Sequence, residues 1–69
     1  MRYLVIYEKT DTGISAYVPD LPGCVATGSD KTEALQNLKE AVDMHIEGMK
    51  EEGLPIPLPS TQSDLLEVA

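Results

Sequence analysis

An α+β fold of order β-β-β-α-β is predicted for this 69-residue chain. Three observations carry that expectation. Short stretches of alternating apolar residues fill the sequence before residue 29, one apolar stripe at three- and four-residue spacing follows residue 30, and a proline-spaced exit leads to a short apolar tail.

The first stretch, Arg2 to Glu8, places Tyr3, Val5 and Tyr7 on one face and Leu4 and Ile6 on the other. Both faces are apolar and rich in β-branched and aromatic residues, which reads as a central strand covered on both sides. Asp11-Thr12-Gly13 supplies a turn, with Gly13 free to take positive φ. Ile14, Ala16 and Val18 then alternate with Ser15 and Tyr17 in a second strand, completing a hairpin. Pro19 to Gly23 must interrupt that strand, because its two prolines remove ladder donors. Cys24 to Thr27 forms a third strand, closed by Gly28.

A long helix follows, from about Lys31 to about Glu52, capped by Ser29 or Asp30, stopped by Gly53 and Pro55, and with the D-x-x-E spacing of a capping box between Asp30 and Glu33. Ala34, Leu35, Leu38, Ala41, Val42, His45, Ile46 and Met49 make its apolar stripe. Pro55, Pro57 and Pro59 favour an extended connector. Leu65, Leu66 and Val68 are expected to form a final short strand beside the first and parallel to it, through a right-handed crossover. The helix covers one face of the three-stranded antiparallel meander, and residues 1–69 are read as one domain.

A domain of this size buries only ~60% of the surface of its unfolded chain. Small domains usually add disulfides, a metal or a partner subunit. Cys24 is the only cysteine and His45 the only histidine, so neither an internal disulfide nor a Cys/His zinc site is expected. Self-association, as a homodimer or homotetramer, is therefore expected, through the uncovered face of the sheet or an exposed strand edge. The net charge is −7, and the only cations are Arg2, Lys9, Lys31, Lys39 and Lys50. Phosphate contacts normally use cations, so direct nucleic-acid binding is not expected, whereas a basic protein partner suits such a field. The apolar run Tyr3 to Tyr7 is too short for a membrane span, no membrane association is expected, and a lone thiol fits a cytoplasmic address.

The segment Tyr17-Val18-Pro19-Asp20-Leu21-Pro22-Gly23-Cys24-Val25-Ala26-Thr27-Gly28 is followed on the helix by Thr32-Glu33-Ala34, Asn37 and Glu40-Ala41. The helix exit reads Glu52-Gly53-Leu54-Pro55-Ile56-Pro57, ending in Pro59-Ser60. In these residues the chain resembles the HicB family (UPF0150-type), the antitoxin side of HicA/HicB toxin–antitoxin pairs. The resemblance implies a partial ribonuclease-H-like fold and a partner, a small basic HicA-type toxin that cleaves mRNA and is masked by the antitoxin. Members of the family often append a ribbon-helix-helix or helix-turn-helix domain that binds operator DNA. This sequence departs from that pattern by stopping at Ala69, so operator binding is not expected of it. The alternative is a stand-alone oligomerising interaction module without a toxin partner.

A ribonuclease-H-like outline raises the question of hydrolysis, which needs clustered carboxylates around metal ions; the family with that activity places one of them within the first strand. The strand interior here is Tyr3-Leu4-Val5-Ile6-Tyr7, without an acid. No catalytic residue, cofactor or metal is therefore expected. His45 lies among Val42, Ile46 and Met49 and reads as a packing histidine. Cys24, with no neighbouring base, reads as a small buried apolar residue. Candidate partner-binding residues fall in two places. The proline-stiffened loop either presents Asp20, Leu21 and Pro22 to a partner or serves only as a rigid turn. Glu33, Glu40 and Glu47 recur every seven residues along one helix stripe, with Asp43 and Glu51 close by and Met44 at its edge. That stripe either faces the basic RNA-binding surface of a toxin, substituting for phosphate, or is a solvated helix face.

Overall fold

The computed structural model describes all 69 residues and contains three strands, β1 (Ile6–Lys9), β2 (Ile14–Tyr17) and β3 (Val25–Gly28), followed by one helix, α1 (Lys31–Glu51). The strands form an antiparallel meander in the order β1-β2-β3. Tyr7, Ala16 and Ala26 stand side by side across it, as do Ile6, Tyr17 and Val25 one residue along. Because side chains alternate across a strand, the first row faces the helix and the second faces away. The expected three-stranded meander with one long helix over one face is what the chain forms.

Small residues set how closely the layers approach. Ala16 and Ala34 are fully buried, and a Cβ on Gly28 would lie 2.4 Å from the Ala34 nitrogen, so the first turn of α1 rests directly on the end of β3. A Cβ on Gly13 would lie 2.2 Å from the Gly28 carbonyl oxygen. Gly13 is therefore required for space; positive φ occurs at Gly23 and Gly53 instead. Val18, Leu21, Cys24 and Leu38 complete a core of only 6 buried residues, a small number for a helix with so long an apolar stripe.

The helix ends follow the sequence signals. The Asp30 carboxylate accepts the Glu33 N–H at 2.8 Å, and the Glu33 carboxylate reaches back to the Ser29 N–H at 2.9 Å. The first satisfies one of the donors that a helix start leaves without a partner, and the second ties the residue before the cap back to the first turn. At the other end Gly53, with φ of 71°, donates to the Lys50 carbonyl while Leu54 donates to Met49. This is the six-to-one and five-to-two pairing of a Schellman stop, in which glycine bears the left-handed conformation.

Two expectations are corrected. Residues Leu65, Leu66 and Val68 form no strand: the chain has no element after α1, and these side chains are 97%, 89% and 78% exposed. Without that strand β1 is an edge, and β2 is the central strand. The physical cause lies in the connector, which is fastened before the tail begins. The Tyr3 hydroxyl donates to the Pro57 carbonyl, and Ser60 and Thr61 are bonded to Asp20 on the β2–β3 loop. The tail therefore begins beside Tyr3 and the β2–β3 loop and runs on without pairing with β1. The radius of gyration, 13.6 Å, exceeds the ~11 Å expected of a compact chain of this length.

Candidate partner-binding surface

The β2–β3 loop is built inward. Leu21 is fully buried beside Leu38 in the core, its N–H donating to the Val18 carbonyl and its carbonyl accepting from Cys24. Of the loop residues expected to meet a partner, Leu21 is thus a core residue. The motif's two prolines hold the backbone so that this leucine plugs the end of the sheet. Pro22 remains exposed.

Asp20 is committed within the chain. Its Oδ2 accepts the Ser60 and Thr61 N–H groups at 2.9 and 3.1 Å, and its Oδ1 accepts their hydroxyls at 3.2 and 2.6 Å. These bonds, that from the Thr61 hydroxyl foremost, hold the carboxyl down to about 2. A carboxyl lowered by folding adds stability above its unfolded value near 4, and loses that contribution as pH falls towards about 2. Lowering the pH across this window is expected to loosen the connector first. Asp20→Asn is expected to remove that acid dependence, as read by the chemical shifts of the Ser60 and Thr61 amides against pH. Ser60, Thr61 and the Tyr3–Pro57 bond carried no periodic signal in the sequence, because a loop carboxylate does not announce which distant backbone it will cap.

The helix stripe divides into committed and free acids. Glu33 is spent on the helix start, and Asp43 is ion-paired with Lys39 at 2.5 Å. Glu40 and Glu47 are exposed and make no ion pair, and Met44 stands between them at 75% exposure, with Glu51 one turn beyond. Spacings of four, three and four put these four residues on one helix face. What this arrangement presents to solvent is a ridge of unpaired negative charge with one flexible apolar side chain at its centre, a chemistry suited to a basic protein surface.

His45 is half-buried on the packing side of α1, and no group of three His, Cys, Asp or Glu side chains is placed to hold a metal. Cys24 is buried, and that burial raises its thiol above the ordinary value, away from the thiolate form. No helix of the chain is long and apolar enough to cross a membrane.

Residues 3–68 match the family model of the HicB-like antitoxin of bacterial toxin–antitoxin systems. A 14.9 kDa protein from the rep-hol intergenic region of Haemophilus phage HP1 is 44% identical over 57 residues, which span 83% of this chain and 43% of the phage protein. A UPF0150 protein of Thermoplasma acidophilum is 45% identical over 58 residues, covering 83% of this chain and 84% of that one. Among solved structures, a chain of the HicA3 and HicB3 toxin–antitoxin complex superposes with a TM-score of 0.72 at 35% identity, covering 87% of this chain and 70% of that one. The fold, the inward-plugged loop motif and these matches agree: the chain belongs to the HicB-like antitoxin family.

Proposed function

We propose that this chain is an antitoxin domain that binds a small, basic HicA-type ribonuclease toxin and occludes its RNA-binding surface. The observation that carries the reading is its likeness, at 35% identity, to a chain from a HicA3–HicB3 complex, in a domain with an unpaired acidic helix face. Glu40 and Glu47 meet the toxin's cations where RNA phosphates would otherwise lie, with Met44 packing between them. Inhibition is stoichiometric and requires no chemistry from the antitoxin. Such complementary fields speed encounter and suppress wrong partners.

The acting compartment is the cytoplasm, where mRNA is the toxin's target. Self-association accompanies this role, since six buried residues leave apolar surface on the sheet and helix uncovered.

The test is co-expression with a short basic HicA-type chain encoded beside this one. A complex that co-purifies, and in which mRNA cleavage stops at equimolar antitoxin, is the expected result. Undiminished cleavage with the antitoxin in excess would overturn the proposal in favour of a stand-alone interaction module.

A further inference from the structure

Two stretches of this chain have strand-like sequence and unpaired backbone. Residues 1–5 continue β1 beyond its ladder with β2, and residues 62–69 follow the fastened connector. Neither takes part in a backbone–backbone hydrogen bond, inside the elements or outside them. The outer side of β1 is also open along its length. An edge of this kind accepts an added strand.

Beside that edge lies a groove of about 430 Å³ between the start of the chain and α1. It exists because α1 packs over β3 and β2 and leaves the helix side of β1 only partly covered. Tyr3, Val5, Leu35, Val42 and Ile46 make its walls apolar. Lys39, Asp43 and Lys50 line its polar rim; Lys39 is paired with Asp43, which leaves Lys50 as the rim cation without an ion pair, and Arg2 and Lys9 lie at the two ends of the β1 stretch.

The tail alternates as an added strand would. In an extended strand Asp64, Leu66 and Val68 share one face and Leu65 and Glu67 the other. In an added strand Leu66 and Val68 would enter the apolar groove and Asp64 would come beside Lys50. Leu65 then joins Leu4 and Ile6 on the outer face, and Glu67 lies on the side of Arg2. The chain's own tail does not occupy this edge: after Asp20 holds Ser60 and Thr61, no strand forms and Leu65 is 97% exposed. A second copy supplies the same edge without disturbing that anchor.

We propose that the tail of one copy, Asp64 to Val68, adds as a strand to the β1 edge and groove of a second copy, and that the exchange is reciprocal. Reciprocity closes both edges under twofold symmetry, so assembly stops at the dimer and no open filament follows. The inference does not rest on toxin binding, since none of Glu40, Met44 and Glu47 takes part in it, although Ile46 and Lys50 at the groove border Glu47.

The experiment is sedimentation of the full chain at micromolar concentration, paired with directed crosslinking. The native chain is expected to sediment as a dimer of 7.5 kDa units. Leu66→Asp, a change at an exposed position that leaves circular dichroism unaltered, is expected to weaken the dimer by about tenfold or more, because a carboxylate would enter an apolar groove. Under mild oxidation, a Val5→Cys chain mixed with a Leu66→Cys chain is expected to give a covalent heterodimer. In the Val5→Cys/Leu66→Cys double variant, a covalent dimer supports the exchange. Closure of the double variant as a monomer would show the tail on its own edge and overturn it. A dimer indifferent to Leu66→Asp, held instead through the Ile6–Tyr17–Val25 sheet face, or a native chain found only at 7.5 kDa, would overturn it equally.

Discussion

Replacing Leu21 by alanine is expected to unfold most of this protein at room temperature. Leu21 is one of only two large side chains buried completely, the other being Leu38. Truncating a buried leucine removes its transfer free energy and leaves a cavity, together about 2–5 kcal/mol. A chain of this length holds only about 3–10 kcal/mol in total, so the loss takes a large part or all of it. The neighbouring Pro22 is exposed, and Pro22→Ser is expected to change stability by no more than about 0.5 kcal/mol unless the turn itself loosens. Urea titration followed by circular dichroism separates the two readings of the loop. If Leu21→Ala unfolds at the native midpoint and instead loses toxin binding, the side chain is a contact residue and its place in the core is wrong.

Reversing two charges on α1 gives the second large effect. Glu40→Lys with Glu47→Lys is expected to weaken toxin binding by about 10–100-fold, since each change removes an attraction and adds a repulsion against a basic surface. The fold is expected to be unaffected, because both carboxylates are exposed and neither makes an ion pair. The salt dependence discriminates further. Attraction between exposed charges is screened over about 8 Å at physiological ionic strength, so native binding falls as salt rises. The doubly reversed variant loses that attraction, and its salt dependence flattens or changes sign. Asp11→Lys, a reversal at the exposed β1–β2 turn, controls for net charge and is expected to leave affinity nearly unchanged. Calorimetric titration at two salt concentrations measures all three chains. Equal affinities for the native and doubly reversed chains would mean that the helix face is merely solvated.

These two expectations meet a third property, the dependence of so small a core on company. The sheet and helix leave Leu35, Val42, Ile46 and the tail leucines at least partly open to water. The proposed toxin face and the proposed strand exchange at the β1 edge use different residues, although Ile46 and Lys50 at the groove border Glu47.

The order of elements was legible in the sequence because it rests on local chemistry. Alternation marks strands, three- and four-residue spacing marks a helix, and Asp30, Glu33 and Gly53 punctuate it within one or two residues of where α1 begins and ends. Charge was equally legible: an acidic ridge follows from heptad spacing alone, and so does its exposure opposite an apolar stripe. Three matters were decided only by the tertiary structure. Leu21 and its loop point inward, and Leu21 joins Leu38 as one of the two large side chains buried completely. Asp20, Glu33 and Asp43, which read as a partner's contacts, are taken up by the connector, the helix start and Lys39. The tail has the composition of a strand but no neighbour, and bonds between residues more than 40 positions apart fix its start beside Tyr3 and the β2–β3 loop. Local pattern specifies which face of a segment wants burial; only the assembled chain determines what is left to bury it against.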